Sequence, residues 1–130
     1  VYDCSYLMHR VAGLQAGLRE PGLALLPTYF MDHAELLRRK PSFRLQDLDL
    51  EAPGLKIFDF HPNMVYLNVQ CDEDYQACRP HYHDVDWLQQ HRRRGLGVGT
   101  FFLEILDWAA ARADRVRTTS EVADECLTCW

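Results

Sequence analysis

Short apolar runs, bounded by glycine, proline or charged residues, alternate with polar segments along the chain. Val1–Met8, Gly22–Pro27 and Leu55–His61 are rich in residues that favour extended structure, and each run predicts a buried strand. Pro62 has no amide hydrogen to give to a sheet, so the third strand should end at or near His61.

The clearest helical periodicity lies between Thr100 and Ala113. Its apolar residues form a broad face that predicts a helix packed on a sheet. Nearer the C-terminus, Val116–Thr118 has the composition of a short strand. Thr118 and Glu121 match a capping box, which predicts a terminal helix from about Thr119.

The remaining segments carry weaker signals. Apolar residues between His9 and Glu20 fall at helical spacing, although two glycines weaken a helix there. Residues 41–54 are interpreted as a polar linker, residues 63–70 as a further strand or an ordered loop, and residues 71–83 as a surface loop with one helical turn. The alternation of strands and helices favours an α/β layer or barrel.

Composition narrows the class of protein. The 130 residues are 48% hydrophobic and 25% charged, which indicates a single globular domain with a buried core. A net charge of -5 argues against a nucleic-acid partner. No apolar run approaches the roughly 20 residues that span a bilayer. An odd number of cysteines, five, indicates reduced thiols in a cytosolic protein, and a first residue other than methionine indicates a fragment or a processed chain.

Three polar residues fall at or just beyond predicted strand ends: Asp3, Asp32 and His61. In an α/β barrel such ends converge on one face, so the three side chains are candidates to meet there. A carboxylate beside an imidazole favours the protonated ring and orients it as a general acid. Asp32 with Glu35 also matches a capping box, so a purely structural role for Asp32 stays open.

Two clusters are candidates for metal binding. His81 and His83 lie close to Asp84 and Asp86, an arrangement similar to the H-x-H-x-D-H zinc motif, but Val85 stands where that motif has its aspartate. A polar loop accounts for this segment better. Cys126 and Cys129 form a C-x-x-C pair without the second pair that zinc fingers carry.

The segment from Gly54 to Asn68, with Phe60-His61-Pro62 at its centre, resembles the "F-H-P … L-N" segment of polysaccharide deacetylase-like proteins of the WbmS type. These are relatives of the NodB-homology deacetylases (carbohydrate esterase family 4). Tyr2–Ser5 is similar to the family's "Y-D-x-S" strand, and Leu26–Asp32 is similar to its "P-x-x-x-x-D" strand end. The closing helix, strand and helix also fit, so the resemblance covers most of the chain.

The resemblance implies an α/β fold, the C-terminal half of a distorted (β/α) barrel, with residues 1–130 as one partial domain. The implied function is metal-dependent hydrolysis of an N-acetyl or similar acyl group on a carbohydrate. His61 would be the general acid and Asp32 the carboxylate that supports it, while Asp3 and Asn68 would bind substrate. The family's divalent metal (zinc or similar) would be held elsewhere, because its aspartate-pair and H-x-x-x-H motifs do not occur in this sequence.

Two alternatives remain open at this point. One is a non-catalytic carbohydrate- or partner-binding α/β module that kept the fold and lost the chemistry. The other is a small zinc-binding protein, whose candidate ligands are Cys71, Cys78, His81, His83, Cys126 and Cys129.

Overall fold

A computed structural model describes residues 1–129 of the chain, which form short strands and helices. The strands are β1 (Tyr2–Asp3), β2 (Gly17–Glu20), β3 (Leu23–Leu25), β4 (Thr28–Met31) and β5 (Ile57–Asp59). The α-helices are α1 (Asp32–Leu36), α2 (Pro62–Leu67), α3 (Asp72–Cys78), α4 (Val85–Gln90), α5 (Val98–Ala110) and α6 (Thr119–Thr128). Short 3₁₀ helices span Leu45–Asp47, Arg79–His81 and Ala113–Arg115.

The chain divides into two compact units. The first contains residues 1–31, 49–59 and 112–129, and therefore the five strands described above and α6. The second contains residues 32–48 and 60–111, and therefore α1 to α5.

The first unit holds two small sheets. One has the order β1-β3-β2, with β1 parallel and β2 antiparallel to β3. The other pairs β4 with β5 in parallel. Helix α6 packs on the first sheet, where its Ala123 and Cys126 join Ala24 and Leu26 in a buried cluster.

The second unit has an aromatic core. Phe101 on α5 is fully buried, with ring centroids of Phe43 and Phe60 at 6.2 and 6.0 Å. Helix α5 also packs on α2. Gly99 sits at that crossing, where an added methyl group would collide with the carbonyl oxygen of Val65.

Several sequence predictions are confirmed. The runs Gly22–Pro27 and Leu55–His61 contain β3 and β5, although both strands are shorter than the runs. The helix predicted between Thr100 and Ala113 is α5, which begins two residues earlier and ends three residues earlier than predicted. Thr118 and Glu121 form the expected capping box at the start of α6.

The N-terminal predictions need correction. The predicted buried strand over residues 1–8 is only a two-residue strand, and the side chains of Val1 and Tyr2 are exposed. The helical spacing between His9 and Glu20 does not give a helix, because residues 17–20 form β2 against β3 instead. The segment over residues 41–54, predicted to be a polar linker, contributes apolar side chains to the core, since Phe43, Leu48 and Leu50 are buried.

The predictions for residues 63–83 are wrong in part, and the physical reasons are local. Residues 62–67 form helix α2, because Pro62 occupies the first helical turn, where a missing amide hydrogen costs nothing. Residues 72–78 form α3 rather than a loop, with three acidic residues in its first turn that favour a helix N-terminus. The Asp84 side chain accepts a hydrogen bond from the Trp87 amide and so caps α4. Residues 116–118 form no strand.

The α/β class is confirmed in its coarse form, as a mixed structure of strands and helices. The finer prediction of half a distorted barrel is not confirmed. Between residues 1 and 129 the strands form a three-stranded and a two-stranded sheet, and they do not close into a barrel.

Replacing Gly99 by alanine should test the close approach of α5 to α2. The added methyl group has no room beside the Val65 carbonyl, so we expect the free energy of unfolding to fall by about 1–3 kcal/mol in urea titrations. Gly17→Ala is the matched control, because no atom other than those of the adjoining residues lies within 4 Å of the position of its added methyl group. Equal stability of the two variants would contradict this packing.

The capping box at α6 should make helix stability depend on pH. Hydrogen bonds from the backbone amide and side chain of Thr118 lower the pKa of Glu121 below its usual value. The stabilisation is therefore present above the ordinary glutamate pKa and is lost as the pH falls through the lowered one. We expect Glu121→Gln to be less stable than the wild type at neutral pH and equally stable in acid, by circular dichroism melts.

Asp124→Asn on the same helix is the control for this experiment. Asp124 is exposed and takes no part in the capping box. A pH-independent difference between Glu121→Gln and the wild type would count against the capping box.

Candidate active site

Asp32 and His61 follow the ends of β4 and β5, two strands that pair in parallel. Met31 at the end of β4 is in register with Asp59 at the end of β5. Asp32 follows Met31 directly and begins α1, while His61 lies two residues beyond Asp59 and is the N-cap of α2. The carboxyl ends of parallel strands lie at one edge of a sheet, so the two connections start side by side.

Asp32 and His61 are in direct contact within the second unit. The Nδ1 atom of His61 lies 2.6 Å from Oδ1 of Asp32. The backbone amide of His61 donates to Oδ2 of the same carboxylate at 2.7 Å, and the amide of His33 donates to Oδ1 at 2.7 Å. The Asp32 side chain is fully buried, whereas 47% of the His61 side chain is exposed.

This environment acts on Asp32 in two opposing ways. Burial raises the pKa of Asp32 above its usual value, and the hydrogen bonds from His61 and His33 counteract part of that rise. When Asp32 is ionised, its oxygen accepts a hydrogen from Nδ1 of His61. Nε2 is then the ring nitrogen left to exchange a proton with another molecule.

His33 and Tyr75 complete the surroundings, and sequence reasoning missed both. The ring centroid of His33 lies 4.5 Å from that of Tyr75 and 6.2 Å from that of His61. Tyr75 lies on α3, in a segment that was expected to be mostly loop. The available signal for His33 was its place next to Asp32.

Asp3, the third residue expected at this site, belongs to the first unit. Its carboxylate accepts a hydrogen bond from the amide of Ser5 at 2.8 Å and forms an ion pair with Arg19. These contacts, with Ser5 the larger cause, lower the pKa of Asp3. Its substrate-binding role stays a prediction.

Asn68 ends α2 in the left-handed conformation, with φ of 53°. Its side-chain nitrogen donates to the carbonyl oxygens of Arg93 and Gly95 at 3.3 and 2.9 Å. Its side-chain oxygen accepts from the amide of Thr100 at 3.1 Å. Asn68 thus ties the loop before α5 to the end of α2, and its substrate-binding role also stays a prediction.

A pocket of about 570 Å³ lies in the second unit beside these elements. Phe60 and Pro62, the neighbours of His61 in the chain, line it together with Asn68 and Thr100, whereas His61 itself does not line it. Tyr66 carries the guanidinium of Arg92 over its ring, 4.7 Å from the ring centroid. The remaining lining residues are Val65, Arg93, Gly99, Phe102 and Leu103.

A metal site is not formed by the described part of the chain. Within residues 1–129, no three histidine, cysteine or acidic side chains group so that they could hold a metal ion. His81 instead stacks on Trp87, with ring centroids 4.3 Å apart, and all five cysteines are free thiols. The zinc-binding alternative therefore gains no support. No helix among these residues is long and apolar enough to cross a membrane.

Comparison with known proteins relates the chain to one family. Residues 1–79 match the family described as WbmS-like polysaccharide deacetylase. The structure is similar to the crystal structure of a Bordetella bronchiseptica protein, WbmS, which is described as a candidate polysaccharide deacetylase involved in O-antigen biosynthesis. The TM-score is 0.70 at 26% sequence identity.

The extent of these matches differs. The structural match covers 82% of this chain and 45% of the Bordetella chain, so this chain spans about half the length of that relative. A search of curated proteins gave no significant match. Since the family match spans residues 1–79 of 130 and includes both Asp32 and His61, the chain belongs to the WbmS-like polysaccharide deacetylase family.

Proposed function

We propose that this chain contributes the general acid of a carbohydrate deacetylase. In this proposal His61 protonates the leaving amine when an N-acetyl or similar acyl group is hydrolysed from a sugar. The observation that carries the proposal is the 2.6 Å contact between Nδ1 of His61 and the fully buried carboxylate of Asp32.

The chemistry of amide hydrolysis asks for such a group. An amine leaves a tetrahedral intermediate readily only if its nitrogen is protonated, so a positioned acid accelerates the breakdown step. Two features of His61 support this role: Asp32 holds one ring nitrogen, and nearly half of the side chain is exposed.

The main chain of His61 is held in a defined conformation. His61 has the extended conformation of an N-cap residue, with φ of -87° and ψ of 121°, and Pro62 restricts the residue before it to that region. The His61 amide is bonded to the same carboxylate as its ring. Main chain and side chain are therefore anchored at one point.

The pocket beside Phe60 and Pro62 is the proposed place for the sugar. Its volume of about 570 Å³ lies within the range of small-ligand sites. Phe102, which lines the pocket, offers an aromatic face of the kind on which sugar rings stack. The Asn68 side chain would help to shape the wall of the pocket, because its amide group is hydrogen-bonded to the loop before α5 and to α5 itself.

The residues described here do not fit a metal ion, since residues 1–129 bring no three suitable side chains together. No step of the proposed reaction therefore depends on a metal ion held by these residues. The acid, its supporting carboxylate and one wall of the sugar site are what this chain's own residues supply. Activation of the attacking water is not assigned to any of them.

A binding module without chemistry is the second candidate, and the pocket is the observation that favours it. A sugar could occupy the pocket without a reaction at His61. Substitution of His61 separates the two functions, because binding in the pocket does not require its proton.

For the enzyme, we expect His61→Ala in the full-length protein to lower turnover by a factor of roughly 10²–10⁴, the usual contribution of a general acid. Release of acetate from acetylated oligosaccharides is the measurement, with metal content assayed in parallel and expected to stay unchanged. His83→Ala is the control, since His83 is an exposed histidine of the same unit.

Unchanged release of acetate by His61→Ala would remove His61 from the mechanism. If neither the wild type nor the variant releases acetate but both bind oligosaccharide equally well, the binding module replaces the enzyme as the function.

A further inference from the structure

We infer that His33 is a positioning residue for His61. In this proposal the His33 ring, packed against Tyr75, holds the His61 ring in the orientation that bonds Asp32. The catalytic meaning of this role rests on the proposed function of His61, whereas the positioning itself does not.

The His61 ring needs support beyond its one bond to Asp32. Nearly half of the side chain is exposed, and the bond at Nδ1 fixes only one atom of the ring. A ring held at one point can still rotate about χ2, the side-chain torsion that has broad minima for histidine. A neighbour at its side narrows that range.

His33 is fixed relative to the Asp32–His61 pair by its main chain. The amide of His33 donates to Oδ1 of Asp32 at 2.7 Å, and the same oxygen lies 2.6 Å from Nδ1 of His61. Both histidines are therefore hydrogen-bonded to the same oxygen, Oδ1 of Asp32. The rings of the two residues approach edge-on, at 79° with centroids 6.2 Å apart.

Tyr75 provides the surface behind His33. The two rings lie 4.5 Å apart at 39°, which is a close tilted stack. Burial and a hydrogen bond with Tyr75 raise the pKa of Tyr82, so the two phenols lie close together. The His33 ring thus packs against Tyr75 and also meets the His61 ring edge-on.

The arrangement predicts a role for ring packing rather than for the charge of His33. An aromatic ring without ionisable nitrogens should fill the same space against Tyr75. Removal of the ring should free His61 to rotate and weaken the bond between Nδ1 and Asp32.

The test is the tautomer of His61, read from imidazole ¹⁵N shifts of the labelled chain at alkaline pH. We expect the wild type to carry its hydrogen mainly on Nδ1. In His33→Ala the ratio of the Nδ1–H to the Nε2–H form should fall several-fold, and His33→Phe should restore it. Asp32→Asn serves as the reference for a lost bond, and His83→Ala as the unrelated control.

Two results would overturn the proposal. One is a tautomer ratio of His61 in His33→Ala that equals the ratio in the wild type. The other is a ratio that falls in both variants, which would mean that the imidazole itself is required. Circular dichroism checks folding, and His33→Gln replaces the alanine variant if that one does not fold.

Turnover of the full-length protein separates this proposal from the proposed function. We expect His33→Ala to lower kcat roughly tenfold with little change in KM, as a misplaced catalytic group does, and His33→Phe to restore it. A tautomer change without any effect of His61→Ala on turnover would leave His33 as a positioning residue and refute the acid role of His61.

Discussion

The site depends on a single electrostatic requirement, the compensation of a carboxylate that has no access to water. A buried charge is tolerated only where hydrogen-bond donors replace its solvation. Asp32 has three such donors, namely the amides of His33 and His61 and the ring of His61. Satisfying this carboxylate therefore brings the segments after β4 and β5 together and leaves His61 at the surface with one nitrogen engaged.

Helix α2 extends this constraint into the rest of the second unit. It begins next to His61, which is bonded to Asp32, and it ends at Asn68, which is bonded to the loop before α5 and to the amide of Thr100. Gly99 lets α5 approach the same helix closely. Both ends of α2 are thus anchored, so the pocket beside it has a stable wall.

Local signals were enough to predict part of this structure. β5 and α6 follow from a strand ended by Pro62 and from the capping box at Thr118, which act over a few residues. Helix α2 was missed because its apolar residues are typical of strands, although Pro62 also fits a helix start. The pairing of Asp32 with His61 was anticipated from strand ends. The place of His33 against Tyr75 depends on where α3 packs, which no local pattern encodes.

A double-mutant cycle on Asp32 and His61 tests the central claim, that the two residues act as one unit. Turnover of the full-length protein would be measured for Asp32→Asn, His61→Ala and the double variant. The account predicts that the double variant is about as impaired as His61→Ala alone, since Asp32 acts through His61. Losses that multiply independently would contradict it.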